Sequence, residues 1–404
     1  MRLRLLAAIF LGILALAFAA GWLWWVMRQT APGPLRLTKV YFAELPGWEK
    51  SDPRAALSAL MRSCAVLAVQ PVPLGGAGYA GTTSDWRAPC RAALAPTPNA
   101  AAARTFFERW FAPVLVRAGD VKDGLFTGYY EPELHASRTR HGAFQSVVYG
   151  APDDLVSVNL GAFQSNLRGE QIFGRVERSR LVPYATRAEI DTNGLPQARV
   201  LFYADDPVAV FFLHIQGSGR VRFEDGTQQR ISYAAQNGQP YTAIGRTLIG
   251  RGALARENVS LQSIRAWLKA NPAAARQVME TNASYVFFKE EPIGDPKLGA
   301  KGAEGVMLTP GASMAVDLRL HALSVPFFVS TKLPDGKPLQ ALFIAQDTGG
   351  AIRGPIRGDL FLGFGKDSEA LAGRMRQSGR LYALLPKEVA ARLAATTDYP
   401  AQTP

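Results

Sequence analysis

From Leu125 onward the chain is written in short apolar, β-compatible runs, each broken within about ten residues by glycine, proline or a charged turn, and that rhythm calls for a barrel or a sandwich. The clearest turn is Asp225-Gly226, set between VRFE and TQQRISYA, which predicts a hairpin. Further runs fall at 284–288 (SYVFF), 313–317, 325–330, 340–346, 359–364 and 380–385, and a few short helices decorate them: one over 260–270, one opened by Asn271-Pro272 and one capped by Asp367. Among 404 residues, 38 glycines and 27 prolines recur without a period, which fits many turns and excludes a collagen-like repeat. With 48% hydrophobic and 19% charged residues, the chain has what it needs to bury a core.

Ahead of the β pattern stands a different text. Arg2 and Arg4 precede a run from Leu5 to Met27 in which 23 consecutive residues carry no charge, and Arg28 closes it. A bilayer is spanned by roughly 20 apolar residues, so residues 1–28 read as a transmembrane anchor. The competing reading is a signal peptide cut after Ala17-Phe18-Ala19. The two arginines point the N-terminus to the cytoplasm and the remainder outward. Residues 29–39 read as a linker. Residues 40–124 read as a helical part that packs on the barrel and contributes to it: Asp52-Pro53 opens a helix with Leu57, Leu60, Met61 and Cys64 on one face. Asn99 caps another, in which Phe106, Phe107, Trp110 and Phe111 bury together before Pro113 stops it. Cys64 and Cys90 are the only cysteines, and both a disulfide and two buried thiols remain open for them.

The chemistry-bearing residues narrow the function. His135, His141, His214 and His321 lack metal-ligand spacing, and no Walker loop, GxSxG or GxGxxG opens a helix, so no metal or cofactor is expected. Carboxylates remain. In LFIAQDTGGAIRGPIRGDLFLGFG (342–365), Asp347 precedes a Gly-Gly turn, and Asp359 is flanked by Leu360, Phe361 and Leu362, where partial desolvation raises a carboxyl's pKa and suits it to proton donation. A turn cap or an ion pair with Arg353 or Arg357 is the structural alternative for either acid. Asp347-Thr348-Gly349 is also the triplet of aspartic proteases, but those enzymes need a second such acid and the chain has none. FTGYYEPELH (126–135) and FFLHIQGSGRV (211–221) combine aromatics with small polar groups, a mixture suited to sugars. Tyr129 and Tyr130 should face opposite ways on a strand; Gln216 and Ser218 sit in a Gly-rich turn; His214 reads equally as a core histidine. With 45 Lys+Arg against 33 Asp+Glu, the net charge of +12 favours anionic surroundings.

FTGYYEPEL, FFLHIQGSGRV, AQNGQPYTAIGR (235–246), ASYVFFKE (283–290), VMLTPGASMAVD (306–317) and QDTGGAIRGPIRGDLFLGFG (346–365) together resemble the MltA-type lytic murein transglycosylases, in the family's order. The resemblance implies a mainly β fold: an MltA-type β-barrel domain over 125–290, inserted ahead of a double-psi β-barrel segment over 300–386 that carries three aspartates, with a glycan groove between and a C-terminal tail from 387 to 404. It implies that Asp359 is the catalytic acid with Asp347 in the same site, and that Thr127, Tyr129, Tyr130, Glu131, His214, Gln216, Ser218, Asn237 and Asp317 bind substrate. The implied partner is the glycan strand of peptidoglycan and not nucleic acid; the implied reaction is non-hydrolytic cleavage giving 1,6-anhydro ends on the periplasmic side of the envelope. The N-terminal segment, read from its apolar run as holding the protein to the inner membrane, departs from the family's well-known members, which use a lipid-modified cysteine. A two-carboxylate glycoside hydrolase and a non-catalytic wall-binding module are the alternatives. Met307 and His321-Ala322-Leu323-Ser324 depart from the family's usual loop residues.

Overall fold

The computed structural model describes residues 33–67, 72, 74–95, 99–164, 167 and 171–399, so the run from Leu5 to Met27 lies outside the described residues. Among the described residues no helix is long and apolar enough to cross a membrane. Three strands come first: β1 (Leu35–Lys39), β2 (Phe111–Ala118) and β3 (Gly124–Glu131). An inserted domain supplies β4 (Glu133–Ser137), β5 (Ser146–Tyr149), β6 (Val156–Asn159), β7 (Gln171–Glu177), β8 (Arg180–Pro183), β9 (Val200–Ala204), β10 (Ser218–Phe223), β11 (Gln228–Gln236) and β12 (Val286–Glu291). The chain then returns as β13 (Ser313–Ala315), β14 (Pro326–Lys332), β15 (Pro338–Asp347), β16 (Arg357–Phe364), β17 (Arg376–Pro386) and β18 (Thr396–Tyr399).

Strands β14, β15, β13, β16, β3 and β17 are hydrogen-bonded in that order, and Arg380–Ala383 of β17 pairs back onto β14. Six strands therefore form a ring, which leaves no open edges within it. Phe126, Met314, Phe327, Phe328, Phe343, Leu360 and Leu384 fill the core around this sheet. β3 and β16 come close because Gly358 has no side chain: a Cβ there would sit 2.5 Å from Met314 Cε and 3.0 Å from Phe126 Cδ1. β2, β1 and β18 extend the sheet beyond β17. In the insert, β12, β11, β10, β4, β9 and β5 form a second sheet, and a bridge from Gly150, just past β5, to Phe288 of β12 nearly closes it. β6, β7 and β8 form a small third sheet.

The expected hairpin is present as β10–β11, with Asp225 Oδ1 accepting from Thr227 N at 2.9 Å and Gly226 at φ 83°. Asn99 caps helix Ala100–Trp110 by accepting from Ala102 N at 2.9 Å. That helix ends at Trp110; Phe111 opens β2 and Pro113 lies inside it, because the packing of this strand against β1 and β17 outweighs the helical spacing of its aromatics. The linker reading of 29–39 is corrected in its last residues: Leu35 and Leu37 are buried and β1 pairs with both β2 and β18. The tail reading of 387–404 is corrected likewise, since helix Lys387–Arg392 and β18 belong to the fold. The polar β18 has no apolar alternation to announce it and is held by its pairing with β1 and by Arg36 Nε on Asp398 Oδ1 at 2.5 Å.

Helices Arg54–Val66 and Thr83–Ala93 are joined by a Cys64–Cys90 disulfide with a Cα–Cα distance of 5.5 Å across 26 residues. Closing a loop of that length removes about 3–4 kcal/mol of unfolded-state entropy in the chain-entropy account. Replacing both cysteines with serine should therefore lower unfolding free energy by about 3 kcal/mol in a denaturant titration, and reductant should lower the wild type's by the same amount while leaving the double variant's unchanged.

Candidate active site

Two strands of the ring bring the acids together. Asp359 of β16 lies in register with Thr127 of β3 on one side and with Ala315 of β13 on the other. Ala315 is in turn the register partner of Asp347 at the end of β15. The two carboxylates are thus two strand spacings apart, roughly 10 Å between Cα atoms. Along β3, side chains alternate: Thr127 and Tyr129 face the acids, whereas Phe126 and Tyr130 are buried on the opposite side.

The two acids are dressed differently. Asp347 has both oxygens occupied: Oδ2 accepts from the Tyr129 hydroxyl at 2.8 Å and Oδ1 from Ala303 N at 3.0 Å. Asp359 accepts at Oδ1 from the Thr127 hydroxyl, which itself accepts from Arg357 Nη2 at 2.8 Å, and its Oδ2 has no hydrogen-bond donor among the described residues. Burial raises the pKa of both carboxyls above the ordinary aspartate range. For Asp359 the Arg357 charge and the Thr127 bond oppose that rise; for Asp347 the Tyr129 bond and two backbone N–H groups oppose it, and the charge of Asp359 adds to it. Burial and the adjacent Asp347 push the Tyr129 phenol well above its usual value, so it stays protonated and donates. Tyr129 packs on Phe361 with ring centroids 5.3 Å apart, an apolar wall beside the polar cluster. Among the described residues no three His, Cys, Asp or Glu side chains stand together as a metal site would require.

Of the residues named from the sequence, Thr127, Tyr129, Gln216, Ser218, Asp347 and Asp359 are half-buried and remain reachable. Gln216 Oε1 accepts from Tyr130 N at 3.3 Å, which ties the inserted domain to β3 beside the acids. The other five are buried. Glu131 is completely buried between Arg220 Nε at 3.1 Å and Arg230 Nε at 2.8 Å, and both arginines also donate to Leu298 O, so this carboxylate clamps the point where the chain leaves the barrel to the point where it returns. Asn237 donates to Ala185 O and Ala283 O and accepts from Tyr285 N. Asp317 is held by Arg319 and by Gly354 N at 2.8 Å, which lowers its pKa despite burial. His214 is buried on helix Pro207–Gln216, and Tyr130 is buried with its hydroxyl 3.4 Å from Arg265 Nη2. Arg357, read from the sequence only as an ion-pair partner for the acids, donates instead to Thr127 across the strand pairing. Ala303, whose N–H comes from the long loop between β12 and β13, has no local signature in the sequence.

Two family models match the chain: the MltA specific insert domain at residues 125–289 and the 3D domain at residues 312–385. A crystal structure of membrane-bound lytic murein transglycosylase from Agrobacterium tumefaciens is 33% identical, covers 88% of this chain and 99% of that one, and superposes with a TM-score of 0.77. The membrane-bound lytic murein transglycosylase A of Escherichia coli K12 is 33% identical over 267 residues, which are 64% of this chain and 65% of that protein, so the match spans just under two thirds of that relative's length. A crystal structure of E. coli MltA with bound chitohexaose, 25% identical, covers 88% of this chain and 95% of that one with a TM-score of 0.58.

The buried acids have a consequence for stability. A carboxyl whose folded pKa is raised favours folding below its unfolded pKa and loses that contribution as pH rises through the folded value. Asp359→Asn should therefore melt higher relative to wild type as pH is raised from roughly 4 toward neutrality. Paired melting curves across that range would show the widening gap; a pH-independent difference would contradict the desolvated state of Asp359.

Proposed function

The chain belongs to the MltA family, and from that premise we propose that it is a lytic transglycosylase that cleaves the β-1,4 bond between N-acetylmuramic acid and N-acetylglucosamine in peptidoglycan without water, leaving a 1,6-anhydro end. The observation that carries this reading is the asymmetry of the two acids: Asp347 has both oxygens saturated, whereas Asp359 keeps Oδ2 unencumbered within reach of solvent. Desolvation raises the Asp359 pKa above that of an exposed aspartate, the direction that favours the protonated state a general acid needs.

In the proposed step the proton on Asp359 passes to the glycosidic oxygen, the C1–O bond breaks, and the departing sugar leaves with a hydroxyl. The C6 hydroxyl of the muramic residue then attacks its own C1, and its proton returns to Asp359. Atoms and protons balance without a water molecule. Because the nucleophile is tethered in the same ring, high effective molarity replaces the second catalytic carboxylate that hydrolases require. Asp347, pinned by Tyr129 and Ala303, serves as a fixed negative charge toward the developing oxocarbenium ion. Gln216 and Ser218 on the insert and Tyr129 on the barrel line the substrate side of this centre. The relative described above that binds chitohexaose supports a linear oligosaccharide as ligand. The uncharged run from Leu5 to Met27 is read as an inner-membrane anchor that keeps residues 33–399 on the periplasmic face.

Asp359→Asn retains shape but can neither donate nor accept the proton. Loss of both roles should reduce release of soluble fragments from purified peptidoglycan by at least ~10⁴-fold, while pull-down of glycan persists. Asp347→Asn should lose on the order of 10²-fold. Comparable losses in the two variants would favour a paired-carboxylate hydrolase, and an active Asp359→Asn beside a dead Asp347→Asn would reverse the assignment.

A further inference from the structure

Outside the acid cluster, the inserted domain carries a half-open cavity of 810 Å³, within the size range of small-molecule sites. Two buried side chains in its wall each keep one polar atom without a partner among the described residues. His214 is 5% exposed, and its Nδ1 accepts from Val286 N at 3.0 Å. Burial holds its pKa well below the ordinary imidazole value, so the ring is neutral and its single proton sits on Nε2, which is buried with no hydrogen-bond partner among the described residues. Arg187 is 3% exposed; its Nε donates to Asn282 O at 3.1 Å and its Nη2 to Ser284 O at 2.7 Å, and among the described residues Nη1 has no acceptor and no carboxylate lies at salt-bridge distance, the charge of Asp191 acting on it from farther off. The guanidinium lies 5.0 Å from the ring centroids of both Phe211 and Tyr285, and the His214 ring is 4.2 Å from that of Tyr285. An aromatic wall thus carries two unspent donors, one charged and one neutral.

A buried donor without an acceptor is costly, and a desolvated guanidinium binds a carboxylate more strongly than any neutral acceptor. The remaining charges of the cavity sharpen the ligand. Lys269 is paired with Asp206 at 3.2 Å, Arg276 with Glu280 at 2.6 Å, and the exposed Arg140 donates from Nε to Gln145 Oε1 at 2.8 Å. Asp191, one helical turn beyond Arg187 and also in the lining, has no ion-pair or hydrogen-bond partner among the described residues. One acceptor therefore stands beside two buried side chains with a free donor, the exposed Arg140 adding a further positive charge, an arrangement complementary to a molecule bearing a carboxylate and an amino or amide N–H. We propose that this cavity binds the free carboxylate end of a short peptide, the carboxylate on Arg187 Nη1 and His214 Nε2 and the peptide's N–H group on Asp191.

This assignment rests on the peptidoglycan reading above for its source, since peptidoglycan carries peptide stems on its glycan. Helix Pro207–Gln216 connects the two places: His214 lines the cavity and, two residues on, Gln216 bonds Tyr130 N next to Tyr129. A strand bound at Asp359 would so have a second point of attachment for its peptide arm, which raises affinity without taking part in the chemistry.

The test uses the dipeptide D-alanyl-D-alanine and its C-terminal amide, each titrated calorimetrically against the full chain. The acid should bind at least tenfold more tightly than the amide, and Arg187→Gln should remove that difference. Because Arg187 also supports the 282–284 backbone, a second variant, Ser146→Trp, plugs the cavity from its half-buried wall without touching those bonds. It should abolish dipeptide binding, leave cleavage of peptide-free glycan unchanged and raise KM on peptide-bearing peptidoglycan severalfold with kcat preserved. Equal affinities for acid and amide, or binding undiminished in Ser146→Trp, would overturn the proposal. Dipeptide binding in a protein that cleaves no glycan would instead overturn the activity while the cavity assignment stood.

Discussion

Parallel pairing of β3 with β16 is the constraint on which the rest depends. It places Thr127 against Asp359, residues 232 apart in the chain, and sets Tyr129 over the neighbouring acid. Parallel neighbours cannot be joined by a tight turn, and here the whole inserted domain lies within the connection. The register is possible because Gly358 leaves room for Phe126 and Met314, and it is enforced by β17, which pairs with β3 at its start and with β14 farther on. A single slip of that pairing would turn Thr127 and Tyr129 away from the acids and expose Phe126.

Strand β3 also shows how environment assigns different tasks to carboxylates in one site region. Glu131, at the strand's end, is fully buried and answered by two guanidinium groups, so its charge is spent on joining the two domains. Asp317 is likewise spent, on Arg319 and a backbone N–H. Asp347 is fixed by hydrogen bonds to both oxygens, and of these four carboxylates Asp359 alone retains an oxygen without a donor among the described residues. Leaving a desolvated carboxyl incompletely satisfied costs stability, and that is an arrangement expected where proton transfer is needed.

Much of this was legible in the chain, for local reasons. The Asp225-Gly226 hairpin, the Asn99 cap and the helix opened by Ser260 each follow from side chains bonding backbone within a few residues. Alternation on β3 correctly separated Tyr129 from Tyr130. What was hidden depends on distant partners. Helix Pro207–Gln216 is apolar on every side because it is buried all round, so it has no amphipathic period, although Asp206 and Pro207 mark its start. The polar β18 exists because β1 needs a neighbour, and the burial of Asn237 follows from carbonyls that come together only in the fold.

In the proposed mechanism the tethered C6 hydroxyl, not water, displaces the glycosidic oxygen, with Asp359 shuttling the proton. Digesting purified peptidoglycan in water enriched in heavy oxygen and weighing the released fragments by mass spectrometry tests it directly. The expected result is fragments one water lighter than hydrolytic products, with no heavy oxygen at the new muramic ends. Ends that carry heavy oxygen and the mass of an added water would contradict it and would point to Asp347 and Asp359 acting as a hydrolytic pair.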